Sequence, residues 1–138
     1  MWDSWLSNST LPALEQSATF AQKRHMLLAG NIANLDTPGY QTRDISIEDF
    51  HASLREAIES KHAPEVYRSP GSNAVLPDQM EKVRDVTKQI LYHDGSDVSV
   101  EEQVTEISKN QAMHNMSIAL MRSQLRTLQA AIRESASV

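Results

Sequence analysis

Val100, Val104, Ile107, Gln111, His114, Ile118, Met121, Leu125, Leu128 and Ile132 follow one another at alternating spacings of four and three residues. Eight of these ten are apolar, and the alternation is unbroken. On an α-helix such positions fall on one narrow stripe, and a stripe sustained over four heptads predicts a coiled-coil seam. At ~1.5 Å per residue the stripe runs roughly 50 Å. A helix of that length cannot cover its own stripe, so a second helix must. Ser99 with Glu102 three residues on predicts a capping box at its start. Glu101, Glu102 and Glu106 come first and Arg122, Arg126 and Arg133 last, an order that suits the helix dipole.

A second stripe lies near the N-terminus. Leu14, Ala18, Ala21, His25, Leu28 and Ile32 alternate in the same way. It is poorer in large side chains, and Ala18 and Ala21 allow close approach of backbones. The two stripes can be covered by each other, by other subunits, or by both. The expected fold is mainly α: long N- and C-terminal helices form an antiparallel coiled-coil-like core, with a small irregular middle segment holding a short helix and a possible short strand. One structural domain is expected in three segments: 1–40, 41–98 and 99–138.

Charge follows the same division. Residues 1–40 hold three acids and two bases, 41–98 eleven and seven, and 99–138 four and four. The middle is therefore expected to be the most solvated part. Within it, Ser46 is placed to cap a helix holding Ile47, Phe50, Leu54 and Ile58. Pro64, Pro70 and Gly71 predict irregular chain. Asp78 is placed to cap a helix with Met80, Val83 and Val86, and Ile90-Leu91-Tyr92 before Asp94-Gly95 suggests a short strand. Trp2 and Trp5, the two tryptophans of the chain, suit anchors, either on the chain's own core or in a neighbour.

The first helix should end sharply. Pro38 presets the second position of a turn, and Gly39 accepts the positive φ that a type II turn needs at the third. Pro38 also pushes Thr37 out of the helical region, and Asn34 is suited to a left-handed helix end.

Chemistry is sparse. A net charge of −5 disfavours nucleic acid, whose phosphates need a basic face. Without cysteine there are no disulfides and no thiolate metal sites. His25, His51, His62, His93 and His114 form no metal-binding spacing, and His25 and His114 fall on the stripes, where polar residues such as Gln111 and His114 can set register. Glu48, Asp49, Glu101 and Glu102 suit helix N-termini rather than acid–base work. No nucleophile elbow or phosphate-cradling loop is present, and Met113, Met116 and Met121 suit adaptable packing. No catalytic, cofactor or metal site is expected. The first fifteen residues hold Asp3 and Glu15 and no apolar core, so no secretory signal peptide is expected, and no stretch reaches the ~18 apolar residues of a membrane span.

Asn31-Ile32-Ala33-Asn34, two residues, then Thr37-Pro38-Gly39-Tyr40 resembles the N-terminal signature of the bacterial flagellar basal-body rod protein family. Val98-Ser99-Val100-Glu101-Glu102-Gln103, followed by Asn110-Gln111, is similar to the family's C-terminal pattern; Met113-His114 stands where an aromatic is usual. With the short middle segment, the run Thr37 to Asp44 looks most like a proximal rod protein. The resemblance implies a structural subunit of a helical tube that transmits motor torque and conducts exported subunits. It implies contacts with copies of itself, other rod proteins, a ring or adaptor protein at the rod base and the export apparatus. It implies a periplasmic location reached by type III export without cleavage, and a subunit contact through Asn31, Asn34, Thr37, Pro38, Gly39, Tyr40 and Arg43. A small acidic adaptor or secretion chaperone is the alternative; it explains the acidity and the heptads but not the turn.

Overall fold

A computed structural model of the chain describes residues 9–62, 79–92 and 99–135. Trp2, Trp5, Pro64, Pro70, Gly71, Asp78, His93, Asp94 and Gly95 lie outside the described residues. Among the described residues, four helices and two short strands follow in order: α1 (Leu11–Ala33), β1 (Arg43–Asp44), α2 (Ile47–His62), α3 (Gln79–Val86), β2 (Leu91–Tyr92) and α4 (Val100–Ser135). The two long terminal helices pack against each other, with the short middle elements on the flank of α1.

The helices α1, α2 and α4 start where the sequence provides a hydroxyl for a free N–H. Pro12 occupies the first turn of α1, where its missing N–H is no loss, and the Ser9 hydroxyl accepts the Leu11 N–H at 3.2 Å. The Ser46 hydroxyl accepts the Asp49 N–H at 3.1 Å and so opens α2. Ser99 opens α4, but its hydroxyl pairs with Glu101, accepting that residue's N–H and donating to its carboxylate, rather than with the expected Glu102. The suspected strand forms: Leu91–Tyr92 pairs antiparallel with Arg43–Asp44, Arg43 opposite Tyr92 and Asp44 opposite Leu91.

The main apolar cluster lies on the side of α1 turned away from the expected stripe. Phe20 stacks on Phe50 with ring centroids 4.0 Å apart and planes 15° from parallel. Ile45, Ala57, Met80 and Val83 complete the cluster, and Leu27, Leu54 and Met113 pack around it. The middle segment is thus not simply solvated. Six of its eleven acids, Glu48, Asp49, Glu56, Glu59, Glu81 and Asp85, are exposed on α2 and α3, and the inner faces of these helices supply four of the six residues of the cluster.

Antiparallel pairing of α1 with α4 is marked by paired residues whose numbers rise on one helix and fall on the other: Thr10 with Gln124, Ala21 with Asn110, Asn31 with Gln103. On α1 the expected positions Ala18, Ala21 and Leu28 are buried, and Leu14, His25 and Ile32 are half-buried. On α4 the packing line is turned relative to the expected stripe. Ile107, His114, Ile118, Met121 and Leu128 are half-buried, but Val100, Val104, Gln111, Leu125 and Ile132 are exposed. The buried residues are Gln103, Asn110 and Ser117, spaced by seven, with half-buried Gln124 continuing the series. This line shares Ile107, His114, Met121 and Leu128 with the apolar stripe and replaces Val104, Gln111, Ile118 and Leu125 by the polar residue just before each. The reason is the small N-terminal partner. Against Ala21 the helices come close enough for the Asn110 amide to donate to the Ala21 carbonyl at 2.7 Å, and short polar side chains fit that approach better than valine or leucine.

Candidate functional site

Asn31 is the centre of the motif. It is 1% exposed and stands two residues before α1 ends. Its Nδ2 donates to the Arg43 carbonyl at 2.7 Å and to Gln103 Oε1 at 3.2 Å. Its Oδ1 accepts the Arg43 N–H at 3.0 Å and the Tyr40 hydroxyl at 3.2 Å. Both donors and both acceptor positions of the amide are used, so one side chain ties the end of α1, the loop strand β1 and the start of α4.

Asn34 acts differently from the left-handed cap expected of it. Its φ is −114°. Its Nδ2 donates to the Gly30 carbonyl at 2.8 Å, and its N–H also reaches Gly30. Satisfying that carbonyl from the side chain removes the need for a left-handed residue. The chain then tightens through a Thr37 N–H bond to Asn34 O and a Tyr40 N–H bond to Thr37 O at 3.1 Å. The second of these closes the expected turn, with Pro38 in its second position and Gly39 in its third at φ +77°.

The motif therefore divides. Thr37, Pro38 and Gly39 form an exposed tip. Tyr40 and Arg43 are half-buried and turned to their own subunit, Tyr40 by its bond to Asn31 and Arg43 by both backbone bonds to Asn31 and by its guanidinium, 5.9 Å from the Tyr40 ring centroid. A Cβ at Gly39 would meet no atom within 4 Å, so only the positive φ resists substitution there. Gly39→Val is expected to cost about 1–2 kcal/mol, read as a lowered midpoint in urea, and Gly39→Asn markedly less. Equal losses for both would count against a left-handed backbone as the cause.

Below the motif lies an ion cluster that sequence reasoning did not single out. Arg24 is buried on α1. Its Nε and one Nη hold both Asp44 oxygens at 2.8 and 2.7 Å, and the same Nη reaches Glu106 at 3.0 Å. Burial works against the guanidinium charge, but the bonds from Asp44 and Glu106 outweigh it and raise the Arg24 pKa. Lys109 at 2.7 Å, then Arg24, hold the Glu106 carboxyl below its ordinary value. The cluster joins α1, β1 and α4. The signal was present: Phe20, Arg24, Leu27 and Asn31 make their own 4-3-4 line on α1. Gln103, Asn110, Ser117 and Gln124 likewise repeat at seven.

Among the described residues, no group of three or more His, Asp or Glu could hold a metal ion, and no helix is long and apolar enough to cross a membrane. The built features all fix one helix or loop against another.

No protein-family model matches the chain. Similarity to individual proteins is extensive. The flagellar basal body rod protein FlgB of Bacillus subtilis is 25% identical over 130 residues, 92% of this chain and 95% of the relative. FlgB of Escherichia coli is 28% identical over 121 residues, 81% and 84% of the two chains. FlgB of Proteus mirabilis strain HI4320 is 24% identical over 127 residues, 87% and 90%. The chain is similar to flagellar basal body rod proteins over most of its length. The matched lengths span most of each FlgB chain, so they are not confined to the Asn31–Tyr40 motif.

Proposed function

We propose that this chain is a structural subunit of the flagellar basal-body rod, packed into the helical tube that transmits motor torque and conducts exported subunits. Similarity to FlgB proteins over most of the chain carries this reading. The exposed apolar stripe of α4 supports it. Val104 and Leu125 are 49% and 47% exposed, and a subunit that meets neighbours along this face has a use for them.

On this reading copies of the chain and other rod proteins are its partners, and a ring or adaptor protein holds the rod base. The export apparatus delivers it to the periplasm without removing a signal peptide. The motif serves in two ways: Asn31, Asn34, Tyr40 and Arg43 hold the loop in shape, and Thr37, Pro38 and Gly39 present its tip to a neighbour. Of the packing positions, Leu14, Ala18, Ala21, Leu28, Ile32, Ile107, His114, Ile118, Met121 and Leu128 serve within the subunit. Val100, Val104, Gln111, Leu125 and Ile132 serve between subunits. The role needs no catalysis and no cofactor.

Mass spectrometry of purified basal bodies tests the proposal: the chain should be present, and its deletion should leave cells without filaments. Leu125→Asp refines the test. At an exposed site it should shift monomer stability by no more than about 0.5 kcal/mol, while a carboxylate forced into an apolar contact should lower incorporation about tenfold or more. A motile strain carrying it, with normal rods, would remove the outer stripe from the interface.

A further inference from the structure

An open cavity of about 350 Å³ lies between the first half of α1 and the C-terminal end of α3, near the lower end of the sizes of small-ligand pockets. Its charge runs against that of the chain, which is −5 overall. Lys23 comes from α1 and Arg84 and Lys88 from the end of α3, and Glu15 is the one carboxylate among the described residues that line it. Lys88 is already paired with Asp85 at 2.8 Å. Lys23, Arg84 and Glu15 have no ion pair among the described residues, so two positive charges and one negative remain, a net +1. Arg84 and Lys88 suit the negative end of α3 on their own account, but Lys23 belongs to another helix. Its ammonium is held in place by a relay: it donates to Thr87 Oγ1 at 3.1 Å, and that hydroxyl donates to the Arg84 carbonyl at 2.6 Å. Thr87 is 4% exposed, and two of the three ammonium protons stay unused. Gln16 supplies an independent observation. It is 5% exposed and lines the same cavity, yet its amide has no hydrogen-bond partner among the described residues. It is not one of the unpaired polar groups that are sealed from solvent, which are on His25, Thr42, Asn110 and His114. Buried amides nearly always have a partner, and for Gln16 the cavity is the side from which one can come.

We infer that this cavity binds a carboxylate, held by Lys23, Arg84 and Gln16. Charge decides the class. One carboxylate neutralises the net +1, whereas a phosphate dianion would overshoot it and be repelled by Glu15. Donor chemistry agrees. The ammonium and the guanidinium stand on different helices, so each can take one oxygen in a charge-assisted hydrogen bond, and the Gln16 amide N–H adds a neutral donor. A free organic acid and a glutamate side chain of another protein present the same group to this site. The inference goes beyond the assembly reading above and does not depend on it.

Titration of the isotope-labelled full chain, followed by NMR at the Gln16 side-chain amide and the Thr87 backbone amide, tests the site. The probes are sodium acetate, the blocked peptide acetyl-Gly-Glu-Gly-amide, inorganic phosphate, and sodium chloride at matched ionic strength as the control. Acetate and the peptide should shift both signals saturably, and phosphate should bind more weakly at about pH 8, where it is a dianion. Arg84 is exposed, and Arg84→Gln should weaken carboxylate binding about fivefold or more. Glu15→Gln removes the repulsion, so it should strengthen acetate binding and narrow the preference over phosphate. A peptide that binds more tightly than acetate identifies a protein side chain as the occupant, and one that binds no better identifies a small acid; either supports the site. No saturable shift beyond that of chloride, a parent that prefers phosphate, or binding indifferent to Arg84→Gln overturns it.

Discussion

Asn31→Ala should lower the stability of the isolated subunit by about 3 kcal/mol. The figure follows from what the deletion leaves behind rather than from what it removes. The Arg43 N–H, the Arg43 carbonyl, the Tyr40 hydroxyl and Gln103 Oε1 all lose their partner at once. They belong to three different segments, so no single rearrangement re-pairs them. Asn31→Asp separates hydrogen bonding from packing, because it keeps the shape. The ionised carboxyl can still accept from Arg43 and Tyr40 but has nothing to donate to the other two oxygens, and its charge is buried. Its folded pKa is thereby raised, so the variant should recover stability as pH falls through that value. Urea midpoints of both variants at pH 7 and pH 5 provide the measurement. An Asn31→Asp protein as stable as the parent at pH 7 would mean that the amide's donors are idle.

Arg24→Met should cost about 2–3 kcal/mol at neutral pH. Methionine keeps much of the buried stem, so the loss is chiefly electrostatic: two carboxylates are left facing an apolar group. The estimate lies below that for a fully buried pair because Asp44 and Glu106 keep some solvent access. The pH dependence has a definite sign. Glu106 has a folded pKa below the ordinary value of 4.5 because of Lys109 first and Arg24 second. A depressed carboxyl stabilises the fold above its unfolded pKa, and that contribution is lost as pH falls through the folded value. The parent should therefore weaken below about pH 4.5, and Arg24→Met should show a smaller acid dependence because part of the pairing is already gone. Denaturation of both proteins between pH 3 and pH 7 would reveal it. Parallel curves would remove Arg24 from the acid response.

What was legible in the sequence was what period and turn chemistry encode. Pro38-Gly39 specified its turn, Ser46 and Ser99 marked helix starts, and the two 4-3 stripes announced a pair of long helices. The rotation of α4 was not legible. Two stripes share Ile107, His114, Met121 and Leu128, and hydropathy selects the one completed by Val104, Ile118 and Leu125. Periodicity shows which residues favour burial, but not what covers them. Close approach at Ala21 decided in favour of Asn110 and Ser117, and backbone distance is invisible in a string of residue types. Arg24 was overlooked for a related reason. Its partners Asp44 and Glu106 are distant in the chain, so only the folded arrangement turns three ordinary charges into one cluster.

The polar line along the α1–α4 seam also affects how the protein responds to temperature. Hydrogen bonds between the helices change the hydration of rather little apolar surface, whereas covering Val100, Val104, Leu125 and Ile132 would change a good deal more. Heat capacity follows apolar hydration. The polar part of the seam should therefore add little to the heat-capacity increment of unfolding, and covering the outer stripe should carry a decrement of its own. On the reading proposed above, cooling then weakens the association that covers this stripe.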